Sequence, residues 1–437
     1  MVDRADSQPE NPEMAAVRGS GIQKRFRACL FALAMLLSQL AQAQAYKIVY
    51  GFNSKNKLTA GTSLVRDTGG NLFGASTYGG VRNCYQGPCG AIYKIDPKGK
   101  ETTLYSFKGA PDGANPVAVI VDASGTIYGT TEYGGTSTLQ YCGGGCGTVF
   151  KIATSGKETV LHSFSEPPGD GISPASGVIR DSKGTLYGTT YMGGEHTDYG
   201  NPGEGTVYKI AHGKESLLYD FTGGDDGGLP NAALLLRGGV LYGTTVFGGS
   251  IDNRQCITVF GPGCGTVFKV EDGRETVLYT FNNQSDGGYP AGSLIADKSG
   301  NLYGTASLGG DLNCQFSQEN PPGCGVVFKL TPSGEESVLY TFKGKTDGAW
   351  PSAALVMDAA GNLYGTTVLA GNLNCQGGYG CGTIFKLDTA GKFTVLHTFA
   401  GSDGKAPTAL IQDGQGKFYG VASGGPANNG VVYELTP

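Results

Sequence analysis

The sequence predicts an all-β fold, a seven-bladed β-propeller with four antiparallel strands per blade, whose ring is closed by an amino-terminal strand that completes the last blade. Three observations lead there. A Tyr-Gly ruler runs the length of the chain as Phe73-Gly74, Tyr128-Gly129, Tyr187-Gly188, Tyr242-Gly243, Tyr303-Gly304, Tyr364-Gly365 and Tyr419-Gly420, at intervals between 55 and 61 residues. Each interval carries four short runs of β-branched and aromatic residues bounded by glycine, proline or aspartate, which is how short strands read. Glycine supplies 75 of the 437 residues, a content that disfavours helix and favours tight turns. A fixed internal period also overrides the several domains that such a length would otherwise suggest.

The chain opens with a segment set apart from the repeats. Lys24, Arg25 and Arg27 precede an apolar run from Ala28 to Leu37 and then Ala41-Gln42-Ala43-Gln44-Ala45, a secretory signal with two overlapping A-x-A cleavage options. The acidic residues before Met14 are foreign to such a leader, so Met14 reads as the true start. The apolar run is shorter than the roughly 20 residues that a membrane span needs. Residues 1–45 are therefore assigned to the leader and what precedes it, and 46–437 to a single propeller with no membrane span after cleavage. Cys29 leaves with the leader. The formal net charge of -5 and the lack of a basic stripe in the repeats exclude nucleic acid as a partner.

Tyr46 to Phe52 alternates and ends Tyr50-Gly51-Phe52, like the later strand that ends Tyr279-Thr280-Phe281. Every repeat then delivers four strands, A to D; in the fifth they are expected over Ala291 to Asp297, Asn301 to Ser307, Gly325 to Leu330 and Ser337 to Phe342. The A-to-B turn is Asp-x-x-Gly, in which aspartate bonds the backbone ahead of it and glycine takes positive φ. The C-to-D turn is equally short, so both joints make antiparallel hairpins. Strands A, B and C occur seven times, but the chain stops at Pro437 one strand short. The missing D strand is the one found alone at Tyr46 to Phe52. A seventh blade built from Thr408 to Leu435 plus that strand closes a ring and leaves no open sheet edge.

Ten cysteines remain in the repeats as five close pairs: Cys84 with Cys89, Cys142 with Cys146, Cys256 with Cys264, Cys314 with Cys324, and Cys375 with Cys381. An even count in an exported chain reads as disulfides. Two thiols per repeat with no neighbouring histidine fall short of a structural zinc site, and no metal centre is assigned.

The units Gly361-Asn362-Leu363-Tyr364-Gly365-Thr366-Thr367, Gly382-Thr383-Ile384-Phe385-Lys386-Leu387 and Val277-Leu278-Tyr279-Thr280-Phe281 resemble the GloVer-repeat, or choice-of-anchor tandem-repeat, family of exported bacterial proteins. The resemblance covers Tyr46 to Pro437. It implies export and a propeller-like repeat array, and it carries over no activity residue by residue.

In a four-stranded meander, alternate links emerge at opposite ends, so the B-to-C and D-to-A links share one face. That face holds every cysteine pair and most of the length variation, and variable loops on a rigid scaffold are where binding resides. Six Asp-Gly-x-x-Pro motifs place Asp112, Asp170, Asp226, Asp286, Asp347 and Asp403 there. The pattern reads either as Asx turns leading into strand A or as oxygen ligands for sugar hydroxyls or calcium, the only cofactor it leaves open. Tyr78, Tyr133, Phe247, Tyr289 and Trp350 are candidate ring faces for a sugar or peptide, with packing between blades as the rival reading. For catalysis the weak candidates are Glu195, His196 and Asp198, in the early repeat that lacks cysteines; His162 and His397 replace the strand D tyrosine and read as structural. The expected function is an exported, monomeric binding or scaffolding module, periplasmic or secreted, for an extracellular glycan or protein. The alternatives are a propeller enzyme of lyase, glycosidase or lactonase type and a structural surface component.

Overall fold

The computed structural model describes residues 45–53, 57–84, 87–137, 142–165, 169–196, 203–249, 256–258, 261–314 and 322–437. The expected leader, apart from Ala45, falls outside them. Tyr46–Leu435 forms one compact unit of seven four-stranded antiparallel sheets. In the order A, B, C, D, blade one is Leu64–Arg66, Leu72–Ser76, Ala91–Ile95 and Glu101–Ser106; blade two is Gly113–Val121, Ile127–Gly134, Thr148–Ile152 and Glu158–Ser163. Blade three is Ile179–Arg180, Leu186–Thr190, Thr206–Ala211 and Lys214–Asp220; blade four is Leu235–Arg237, Val240–Thr245, Thr266–Glu271 and Arg274–Thr280. Blade five is Ile295–Ala296, Leu302–Ala306, Val326–Leu330 and Glu336–Thr341; blade six is Val356–Met357, Leu363–Thr367, Thr383–Leu387 and Phe393–Thr398. Blade seven is Lys405–Gln412, Phe418–Ser423 and Val431–Thr436, with Ala45–Gly51 hydrogen-bonded beside Val431–Thr436 as its fourth strand. The ring closes as the strand count demands. No helix among the described residues is long and apolar enough to cross a membrane.

One contact repeats at all seven blade boundaries. The phenylalanine just past each strand D meets the strand C aromatic of the next blade edge-on: Phe52 with Tyr93, Phe107 with Phe150, Phe164 with Tyr208, Phe221 with Phe268, Phe281 with Phe328, Phe342 with Phe385, and Phe399 with Tyr433. Ring centroids lie between 5.0 and 5.5 Å apart, the geometry that an aromatic quadrupole favours. All seven phenylalanines are fully buried. Phe52 comes from the far end of the chain and makes the same contact as the other six, so the closure has the geometry of an ordinary blade boundary.

A second recurring joint lies nearer the loop face. The second cysteine of a pair accepts a backbone hydrogen bond from the next blade's D-to-A link, as in Tyr289 N to Cys264 O at 2.8 Å and Trp350 N to Cys324 O at 3.0 Å. The glycine that follows that cysteine faces the proline of the same link. A Cβ on Gly325 would stand 2.6 Å from Pro351 Cδ, and one on Gly265 2.8 Å from Pro290 Cδ, closer than side chains tolerate. Proline and glycine thus fit each other across the boundary.

One expectation needs correction. Strand A is shorter than the sequence suggests, reduced to two residues in blades three, five and six. The segments just before these strands carry alanine, serine and glycine that line the central channel, so much of the expected strand runs beside the axis without a ladder partner. The ruler glycine serves its own sheet. Gly304 pairs with Phe328 of its own sheet, and a Cβ there would come within 2.6 Å of the Phe328 ring. The glycine makes room for strand C's aromatic as that ring turns toward the next boundary.

Candidate functional site

The D-to-A and B-to-C links do share a face, and they run against each other. Gly228 bridges Phe247, Gly288 bridges Leu308, and Ala349 bridges Leu369, each pairing an incoming link with the B-to-C link of the blade that it enters. All five cysteine pairs form disulfides there. Cys89, Cys146, Cys264, Cys324 and Cys381 are fully buried, so each bridge fastens a variable loop to a fixed internal point.

The six aspartates form the links themselves. Asp112 Oδ2 accepts hydrogen bonds from Tyr105 Oη at 2.9 Å and Lys108 N at 3.0 Å, while Gly113 N donates to Oδ1 at 2.8 Å. Tyr219 donates to Asp226 at 2.9 Å, Tyr279 to Asp286 at 3.1 Å and Tyr340 to Asp347 at 3.0 Å, each joined by a backbone N–H four residues before the aspartate. In two blades imidazole replaces phenol. His397 Nε2 donates to Asp403 Oδ2 at 2.9 Å, and His162 Nε2 lies 3.3 Å from Asp170 Oδ2. Both rings occupy the tyrosine position, as the sequence suggests. Burial pushes the Asp403 carboxyl up, but hydrogen bonds from His397 and the Ala400 amide outweigh it and the net shift is downward. At Asp286 burial prevails and the carboxyl is raised. Each carboxylate thus accepts hydrogen bonds from donors of its own blade.

The candidate aromatics divide by burial. Tyr78 is 53% exposed, whereas Phe247 and Tyr289 are buried and meet each other edge-on at 5.6 Å, so neither presents a ring face outward. Trp350 is half-buried against the cores of two neighbouring blades. Both Tyr289 and Trp350 take positive φ, 58° and 57°, a conformation that costs a bulky residue about 1–2 kcal/mol. The boundary joint imposes it, since the residue before the proline must aim its N–H at the preceding blade's cysteine carbonyl. Tyr133 is half-buried in strand B of blade two.

The exposed apolar residues that sequence reasoning missed are Val81, Leu312, Leu373 and Tyr379. With Tyr78 they make up the exposed large hydrophobic residues among the described ones, and all five belong to B-to-C links. Bulky apolar residues inside glycine- and asparagine-rich loops were the available signal.

Glu195 and His196 sit in the cysteine-free link of blade three. Glu195 N and His196 Nδ1 donate to the same oxygen, Asp220 Oδ2, at 2.7 and 2.8 Å. Asp220 stands where Ser163 Oγ accepts Thr136 N at 2.7 Å in blade two, so it anchors this link as a hydroxyl does elsewhere. Asp198 lies outside the described residues. At the axis, a cavity of about 480 Å³ is walled by segments from all seven blades, including Thr62, Ser176, Ala232, Ser293, Ala353 and Thr408, and none of its lining side chains ionises.

The sequence matches the Gloeobacter/Verrucomicrobia repeat over residues 36–260, 141–314 and 259–437. Comparison with curated protein sequences gives no match. Among solved structures the chain is similar to a catalytically inactive virginiamycin B lyase from Staphylococcus aureus with quinupristin, at a TM-score of 0.56 and 14% identity, over 90% of this chain and 99% of that one. It is also similar to a gluconolactonase from Xanthomonas campestris, at a TM-score of 0.44 and 11% identity, over 90% of each chain. At such identities the likeness is one of fold.

Proposed function

The chain belongs to the Gloeobacter/Verrucomicrobia repeat family, and from that premise we propose that it is an exported binding or scaffolding propeller that presents disulfide-stiffened loops to a glycan or protein ligand. The observation that carries this reading is the placement of Tyr78, Val81, Leu312, Leu373 and Tyr379, exposed on the one face where loop length varies and bridges fix the loops. Exposed apolar side chains on stiff loops lose little entropy when covered, which favours binding. The axial cavity offers serine, threonine and alanine but no acid, base or metal-ligating group, the opposite of what general acid–base chemistry requires. The segment before Tyr46 is removed on export, and the protein acts in the periplasm or beyond the cell.

The test is a glycan array alongside capture of extracellular proteins, followed by incubation of any bound polymer with the protein. Binding that falls at least tenfold in Tyr78→Ala or Tyr379→Ala, with no product formed, is expected. Release of product, or binding indifferent to both substitutions, would sink the proposal. Amino-terminal sequencing of exported material should begin after Ala43 or Ala45; a protein retained with its leader would refute the export reading.

A further inference from the structure

We propose that His162, Asp170 and Glu215 form a site for a divalent transition metal of the zinc class on the rim between blades two and three. His162 lies in strand D of blade two, Asp170 in the link that follows it, and Glu215 in strand D of blade three. One ligand atom from each lies within 4.8 Å of the others.

The internal repeats provide the control. Blades four, five and two set Glu275, Glu336 and Glu158 beside the aspartate of the preceding boundary, but the third partner there is a tyrosine, whose phenol donates to that aspartate. His397 meets Asp403 in the same way as His162 meets Asp170, yet the place of the glutamate is held by Tyr46, stacked on the imidazole at 3.9 Å. Among the described residues, histidine, aspartate and glutamate come together once.

The spacing at that one boundary also differs. His397 Nε2 is 2.9 Å from its aspartate, an ordinary hydrogen bond. His162 Nε2 is 3.3 Å from Oδ2 and 3.4 Å from Oδ1 of Asp170, longer than such a bond prefers. Ligands bound to zinc at about 2.0–2.1 Å in a tetrahedron stand roughly 3.3–3.4 Å apart. The outer supports are in place: Ser165 N and Oγ donate to Asp170 Oδ2 at 2.9 and 3.1 Å, Gly171 N donates to Oδ1 at 2.8 Å, and the His162 ring rests edge-on against Phe164. Such contacts orient metal ligands. No lysine or arginine among the described residues forms an ion pair with Asp170 or Glu215, so the two carboxylates beside the imidazole favour a cation. Imidazole with carboxylates selects zinc and its neighbours over calcium, which takes oxygen alone. Three protein ligands leave one position for water. The metal would clasp the rims of blades two and three, where blade three lacks a disulfide.

The test uses the untagged full chain, stripped with EDTA and titrated with zinc chloride by calorimetry and with cobalt(II) by visible absorption. One equivalent of zinc and a tetrahedral cobalt spectrum are expected. Both should weaken at least tenfold in Glu215→Gln and in His162→Tyr. The tyrosine restores the phenol–aspartate pair of the other boundaries, so its melting in EDTA should match the parent. His397→Tyr should leave zinc binding unchanged. Absence of stoichiometric binding overturns the assignment, as does binding that survives His162→Tyr or that is lost in His196→Ala instead.

Discussion

Three glutamates at the start of strand D make stability fall as pH rises. Burial, and then the charge of Asp112, Asp226 and Asp286 respectively, pushes Glu158, Glu275 and Glu336 up to about 7. One oxygen of each, Oε1, is buried without a hydrogen-bond partner. A carboxyl whose folded value lies above its unfolded value binds its proton more tightly when folded. The stability it lends is complete below the unfolded value near 4.5 and is lost as pH climbs through 7. Taken at face value, each shift corresponds to about 3 kcal/mol, but these side chains are partly open to solvent and screening reduces this to about 1 kcal/mol each. Three groups give about 3 kcal/mol, or about 4 °C of melting temperature for a domain of this size. Thermal melts at constant ionic strength should therefore fall between pH 5.5 and 8.5. The triple variant Glu158→Gln, Glu275→Gln, Glu336→Gln should flatten that slope and exceed the parent at pH 8.5. A parent whose midpoint holds steady or rises over that interval, or a triple variant with the parent's slope, would refute the reasoning.

Phe52→Ala removes a fully buried ring from the closing boundary; it should cost about 3–5 kcal/mol and roughly 4–6 °C. Phe281→Ala, at an internal boundary, should cost the same within error in the same melts, and a Phe52 variant that melts like the parent would mean that the ring does not depend on that strand. Reduction of the disulfides should leave the circular dichroism of the sheets unchanged at 25 °C, because each bridge closes a loop of at most 10 residues in sequence separation and contributes about 2–3 kcal/mol on a chain-entropy account. Faster proteolysis confined to the B-to-C links is the expected sign of their release, and collapse of the sheet signal on reduction would show that the bridges hold the ring itself.

The ring was legible because its signals are local and repeated. The Tyr-Gly ruler, the Asp-x-x-Gly turns and the cysteine spacing each sit within a few residues, and Tyr46 to Phe52 reads as one more copy of strand D. The disulfide pairing followed for the same reason. What failed was anything set by contacts between one link and another. Phe247 and Tyr289 look alike as loop aromatics with Tyr78, but only the bridge between Gly228 and Phe247 and the cysteine carbonyl that accepts the Tyr289 amide turn the first two inward.

The two ends of a blade boundary obey different constraints, and this decides where the chain can vary. At the core, phenylalanine on aromatic and glycine against proline leave no volume to spare, and each recurs at nearly every boundary. At the rim, the partner of the link aspartate can be tyrosine or histidine, since both donate a hydrogen bond, and the residue opposite can be glutamate, Phe393 stacked on Tyr340 at 3.9 Å, or Tyr46 stacked on His397. These exchanges keep the aspartate satisfied while changing the charge and ligating capacity of the boundary. A repeat fold can therefore gain chemistry on its rim without disturbing its core. The boundary that joins His162 to Glu215 combines two exchanges that are harmless separately and together bring an imidazole and two carboxylates within 4.8 Å of one another.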